Sequence, residues 1–397
     1  MRRLLLFSLL LLLLSSPAYA MTTSDCFDCH SDEDLVKTVG GSDLSLYVDE
    51  EVFTSSIHGD LDCTDCHSDV ADVEDEHAEE LEEVACSDCH DDAADDLLQS
   101  AHAAGNSRVA QDLPGCSQCH GKHDILPGDN VRSRIFELNI PATCGECHAS
   151  EEITSRHPNL SSEVSSEYEK GMHGIVLFKS GMIFSAVCND CHGSHNILSA
   201  ADERSSVHRT RINDTCSSCH AGIVDVYLAS IHGKNFAGGS EEAPTCVSCH
   251  GTHRIDRAMD KEFLITVTER CSECHEEKSD TFKNTYHGQV TGLGYLEAAQ
   301  CPDCHGAHEI LPRDDPASMI NPDNLQATCG ACHSGANSNF IKYLPHADYH
   351  DKENYPGLYY LYLSMVFLLA GVFIFFGIHT ALWLIRAQIE VRSERKR

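Results

Sequence analysis

The sequence predicts a tandem array of short helices and irregular connections, with little or no sheet, followed by one C-terminal hydrophobic helix. Three observations predict it. A short cysteine–histidine signature recurs along the chain. The spacing between copies leaves too little polypeptide for an ordinary hydrophobic core. Residues 358–385 form a run of 28 positions without a charge.

All 22 cysteines fall into CxxC pairs, and a histidine follows every pair. The eleven signatures are Cys26/Cys29/His30, Cys63/Cys66/His67, Cys86/Cys89/His90, Cys116/Cys119/His120, Cys144/Cys147/His148, Cys188/Cys191/His192, Cys216/Cys219/His220, Cys246/Cys249/His250, Cys271/Cys274/His275, Cys301/Cys304/His305 and Cys329/Cys332/His333. A CxxC alone fits a redox dithiol, half a zinc site or a disulfide framework. The histidine directly after it narrows the chemistry to covalent attachment of c-type haem. Two thiols at this spacing can add to the two vinyl groups on one porphyrin edge. The adjacent imidazole is then carried under the iron as proximal ligand. With 26 His in 397 residues, eleven in succession at one offset are not chance.

Four signatures read CHGxH and end in a second histidine: His123, His195, His253 and His308. They alternate with signatures at Cys144, Cys216, Cys271 and Cys329 that lack this extension and follow Thr or Arg. A third element, a short helical stretch predicted to end in a histidine usually followed by Gly, supplies His58, His102, His173, His232, His287 and His346. Five residues before these stand Phe53, Leu97, Tyr168, Tyr227, Phe282 and Ile341. His77 falls where a fifth second histidine is expected, after His67. These eleven match the eleven proximal histidines one for one and are the candidate distal ligands. Only His157, His208, His350 and His379 remain. His308 stands one helical turn from His305, so both imidazoles project to roughly one side. It is therefore assigned to a haem other than the one attached beside it, as are His123, His195 and His253.

Each signature has about 34 residues of chain to itself. The porphyrins must then form the core and the thioethers the staples, in an elongated array whose repeats contact mainly their neighbours.

Residues 1–20 read as a secretory signal peptide: Arg2 and Arg3, an apolar run from Leu4 to Leu14, and Ala18-Tyr19-Ala20 as cleavage box. That run is too short to span a bilayer. Residues 21–357 form the periplasmic undecahaem domain, 358–385 a transmembrane helix and 386–397 a basic cytoplasmic tail. Tyr355, Tyr359, Tyr360 and Tyr362 mark one interface of the helix, and Trp383 and Arg386 the other. His379 lies inside it, which makes it a candidate for a haem b or a quinone shared with a partner subunit.

Setting aside +2 in the signal segment and +3 in the tail, the total of -34 leaves -39 on residues 21–357. Such a surface excludes nucleic acid and favours a soluble periplasmic redox protein with a basic face. Acidity is densest from Ser68 to Asp96, with 14 Asp or Glu and no Lys or Arg.

On the CxxCHGxH and S-x-H-G elements, residues 26–350 resemble the multihaem c-type cytochromes with doubled CxxCH motifs, among them octahaem and decahaem carriers. The resemblance implies low-spin, bis-histidine haems passing single electrons. The C-terminal helix resembles the anchor of cytochrome subunits in quinol-oxidising membrane complexes, with a quinone-reactive or cytochrome b-type subunit as partner. Three functions compete: an electron conduit between membrane quinol, or a membrane redox complex, and periplasmic acceptors; a reductase of a small nitrogen or sulfur oxyanion; and a polymeric cytochrome filament. A reductase needs an iron with an open face, and the CxxCK that often marks one does not occur. The anchor argues against a filament. The conduit is the expected function, with no catalytic residues.

Overall fold

The computed structural model describes residues 21–71, 73, 77–78, 80–103, 112–157, 159–258 and 260–396. The signal-peptide reading lies outside them, as do Asp72, Glu74, Asp75, Glu76 and Glu79 of the acidic stretch. The fold is mostly short helices and loops with one long apolar helix, as expected. Contacts divide the chain into two compact units. One comprises the chain up to Val224 with Pro244–Arg257, and the other Asp225–Ala243 with Ala258–Arg397.

The polypeptide has little apolar interior of its own. Among the described residues only nine hydrophobic side chains are buried, and Ile140, Leu177 and Val187 form the cluster packed against Cys144, Tyr168 and Cys188. Burial on this scale cannot offset the entropy of ordering so much chain, so the interior must be supplied by bound groups.

Local chemistry explains why a five-residue signature folds as a helix at all. In Cys188–His192 the Asp190 carboxylate accepts from the Val187 N–H at 2.7 Å, and in Cys301–His305 Asp303 accepts from Gln300 N–H at 2.7 Å. The residue before the second cysteine thus caps the helix start. The glycine after the histidine ends it: Gly121, Gly193, Gly251 and Gly306 have φ of 93°, 78°, 81° and 82°, a left-handed region that other residues rarely enter. The second histidine is therefore not on a continuing turn of the same helix, contrary to the geometry assumed from sequence. The turn at glycine redirects it.

Thr143, Thr215 and Thr328, each just before a signature, donate their hydroxyls to the carbonyls of Arg134, Ser206 and Met319 at 2.7 Å. These bonds fix the loop entering the motif.

Two local features were not anticipated from the sequence. Val36–Val39 and Ser42–Ser45 pair as an antiparallel hairpin around Gly40 and Gly41, with φ of 62° and 91°. A Gly-Gly pair suits such a tight turn, so the signal was present in the sequence. Secondly, three histidines expected to end helices begin them. His173, His232 and His287 sit in the first turns of Met172–Ser180, Ile231–Ala237 and Tyr286–Gly292. The preceding helices stop at Lys170, Ala229 and Lys283.

The C-terminal helix runs Pro356–Glu394, 39 residues, beyond both ends of the predicted span. It is long and apolar enough to cross a membrane, and its apolar stretch is not buried against the rest of the protein.

A candidate haem-binding array

The glycine after His173, His232 and His287 sets the packing of the element that carries it. At Gly174, Gly233 and Gly288 a Cβ would fall on the carbonyl of Tyr168, Tyr227 and Phe282, the same aromatic positions singled out in the sequence. Ser230 and Thr285 cap the new helices, accepting from the Gly233 and Gly288 N–H groups at 3.1 Å. A further bond ties four of these elements to a later repeat. Ile57, Ala101, Met172 and Ile231, each directly before a distal histidine, donate their N–H to the carbonyls of Ile125, Ile197, Ile255 and Ile310. Those isoleucines stand two residues after the second histidines of the CHGxH signatures. This isoleucine position is therefore a backbone docking point.

The histidines meet in pairs. Ring centres are 6.0 Å apart for His30 and His77, 6.3 Å for His67 and His123, and 6.0 Å for His90 and His58. The values are 5.9 Å for His120 and His195, 6.2 Å for His148 and His102, 6.2 Å for His192 and His253, and 6.2 Å for His220 and His173. In the second unit they are 6.2 Å for His275 and His232, 6.1 Å for His305 and His346, and 6.0 Å for His333 and His287. Each pair joins one proximal and one candidate distal histidine. His250 belongs to the first unit and His308 to the second.

The separation tests the fit of the expected group. Two metal–imidazole bonds of about 2.0 Å, with about 1.1 Å from nitrogen to ring centre on either side, require about 6.2 Å. All ten pairs lie at that distance. Zinc and disulfides fit less well. Among the described residues, no group of three or more His, Cys, Asp or Glu is arranged to hold a metal ion, and none of the 22 cysteines is bridged.

The environment favours the ligating form of imidazole. Burial lowers the pKa of His102, His148, His173, His192 and His305, with a further push from a neighbouring histidine. Neutral imidazole is the metal ligand. Outer nitrogens are held in several cases. His30 Nδ1 meets the Leu46 carbonyl at 2.8 Å, which gives the hairpin a purpose, and His346 Nδ1 meets Thr281 Oγ1 at 3.0 Å. Such bonds fix the tautomer that presents Nε2 to a metal.

The attachment cysteines also run in sequence. Cys26 touches Cys63, Cys86 touches Cys116, Cys144 touches Cys188, Cys216 touches Cys246 and Cys271 touches Cys301. Between these couples, Cys66 lies near Cys89, Cys119 near Cys144, Cys191 near Cys216 and Cys304 near Cys329.

The cysteines differ in burial. Cys29, Cys66, Cys89, Cys116, Cys219, Cys274 and Cys332 are exposed. Six of these seven are the second cysteine of their signature. Cys249, also a second cysteine, is half-buried, as are the remaining members of the set. The asymmetry has a local cause. The first cysteine opens the signature helix and packs against the first cysteine of a neighbouring signature, as Cys216 does on Cys246. The second stands three residues on, and Cys29, Cys219 and Cys274 face solvent. A vinyl group lies on the porphyrin edge, so an exposed thiol remains placed for attachment.

Repeated attachment signatures, opposed imidazoles at iron-spanning distance and neighbouring attachment points define a multihaem c-type cytochrome that binds haem c covalently. Residues 55–149, which contain four of the signatures, match the cytochrome c3 family model. The multihaem cytochrome MtrA of Shewanella baltica (strain OS185) is 28% identical over 177 residues, covering 42% of this chain and 47% of that protein. The chain thus spans about half the length of the curated relative it matches. No solved structure matches it.

Proposed function

We propose that the chain carries eleven bis-histidine haems c and passes single electrons between a membrane quinol pool, or a membrane redox complex, and periplasmic acceptors. The observation that carries this reading is the single separation shared by ten opposed imidazole pairs. An iron held on both faces exchanges electrons without binding substrate, which favours a conduit over a reductase. The chain's own residues attach each porphyrin, fix both axial imidazoles and exclude water, while haem supplies the reversible iron couple.

All 22 cysteines are the proposed attachment points, the exposed Cys29, Cys219 and Cys274 and the half-buried Cys249 included. The proximal and distal histidines named above are the proposed iron ligands. The register of the repeat keeps His308 assigned to a haem held by other cysteines. Pro356–Glu394 supports an anchor in the bacterial inner membrane, with the body periplasmic and residues 386–397 cytoplasmic. His379 is the proposed contact for a haem b or quinone of a quinone-reactive or cytochrome b-type partner subunit. Pyridine haemochrome assay of the purified protein should give eleven haems per chain, and the reduced native protein should neither bind carbon monoxide nor display a high-spin band. Carbon monoxide binding would favour the reductase, and a content near eight or nine would mean that some signatures stay empty.

A further inference from the structure

His350 has no counterpart in the match of histidines to haems, and its surroundings are not those of a spare surface residue. Its ring centre lies 4.3 Å from that of Tyr349 and 5.1 Å from that of Tyr362, and the two tyrosines are 4.8 Å apart. Asp348 Oδ1 accepts from the His350 backbone N–H at 2.8 Å and faces its ring Nδ1 at 3.3 Å. The carboxylate thus holds the ring by one edge and leaves Nε2 outward, on a side chain 59% exposed. Tyr362 belongs to the first turns of the apolar helix Pro356–Glu394. Four residues before His350 stands His346, opposed to His305 at 6.1 Å. Four residues span at most about 14 Å of chain.

These features together meet the needs of one substrate class. A lipid-soluble quinol places an aromatic ring at the membrane interface and must lose two protons and two electrons. Aromatic side chains at the start of a membrane helix offer the ring a platform. An imidazole accepts and releases protons near neutrality. An oxidant must lie close by. Interfacial anchoring alone would account for the tyrosines but not for a carboxylate-held imidazole between them.

We propose that Tyr349, His350 and Tyr362 form a quinol-oxidising site at the membrane surface. The site rests on the quinol-linked reading above and locates the point of electron entry. His350 Nε2 accepts the proton of one quinol hydroxyl and releases it to water, then serves the second hydroxyl in the same way. Both O–H bonds break, the ring becomes quinone, and its two electrons would pass singly to two ferric haems, the nearest being the one that His305 and His346 would hold. Tyr362 and Tyr349 bind the ring, and Asp348 is a positioning residue.

The test uses the full chain with its anchor, haem-loaded, in phospholipid vesicles with duroquinol as probe. Haem reduction is followed by stopped-flow absorbance. His350→Gln should slow reduction at saturating duroquinol at least tenfold, while haem content, the low-spin spectrum and reduction by dithionite stay as in the wild type. Tyr362→Ala should raise the half-saturating duroquinol concentration several-fold with a smaller effect on the limiting rate. Wild-type rates in both variants would overturn this site and leave the quinol-linked reading standing. Loss of duroquinol oxidation in His379→Ala alone would overturn it by moving entry to the opposite end of the helix. A wild-type chain that duroquinol does not reduce would overturn the reading and the site together.

Discussion

The imidazoles of His30 and His77 lie parallel, their planes 3° apart and their centres 6.0 Å apart. Other pairs are turned: His192 and His253 by 15°, His148 and His102 by 59°. The relative orientation of axial imidazoles sets the anisotropy of low-spin ferric iron. Electron paramagnetic resonance of the oxidised protein should therefore contain rhombic signals from the near-parallel pairs and broad, highly anisotropic signals from the tilted ones. His77→Ala should remove one rhombic component and leave the anisotropic ones.

Because His195 stands opposite His120, its replacement should act on a haem attached more than sixty residues earlier. His195→Met should raise one reduction potential, by a fraction of the roughly 0.8 V range that axial ligands command. The shift should vanish when Cys116 and Cys119 are also replaced by Ser. It should persist when Cys188 and Cys191 are replaced instead.

Gly233→Ala forces a Cβ onto the carbonyl of Tyr227. Such overpacking costs about 1–3 kcal/mol. His232 would be displaced from His275, so one haem should gain high-spin character, seen in the visible spectrum alongside a lower thermal midpoint.

Asp91, Asp92, Asp95 and Asp96 are all exposed on the helix Asp91–Gln99, at spacings that share one face. They are placed to steer a basic acceptor. Electron transfer to a soluble basic acceptor should slow as ionic strength rises, because salt screens exposed charge. Converting the four to Asn should reproduce the slowing at low salt. A rate indifferent to both would remove the docking role and leave the array intact.

Asp112 accepts from Arg156 at 2.6 and 2.9 Å and meets His157 Nε2 at 3.0 Å. Chiefly the Arg156 hydrogen bonds hold its pKa at about 2, below the ordinary 3.8. A depressed carboxylate pKa contributes stability above the ordinary value and loses it as pH falls through the folded one. Thermal melts of Asp112→Asn should lie below the wild type above pH 4, with the gap closing as pH approaches 2.

Much of this was legible in the sequence, for identifiable reasons. The attachment signatures are contiguous, so the residues that act together are written together. The count of spare histidines suggested pairing, and ten proximal histidines do stand opposite a candidate partner. What could not be read was which histidine meets which. His67 finds His123 rather than the nearer His77 because the bond from Ile57 to Ile125 docks a later repeat there, and no local pattern encodes that contact. The exposure of Cys29, Cys219 and Cys274 was equally hidden, since it depends on which signatures lie side by side. The placement of His173, His232 and His287 at helix starts was recoverable from the serine or threonine two residues before His232 and His287, a capping residue read instead as part of the preceding helix. His173 has Gly171 in that position, where the signal is weaker.

The crossing of partners has a consequence for how such a chain is made. His67 waits for His123, His120 for His195 and His192 for His253. Over these stretches a chain emerging from its N-terminus would trail an imidazole whose opposite number has not yet been synthesised. Maturation cannot finish one repeat before the next arrives, and a product cut between repeats would be left with a reactive, half-dressed iron at its broken end. Inserting a whole interior repeat does no such harm, since the newcomer brings a replacement for the partner it displaces.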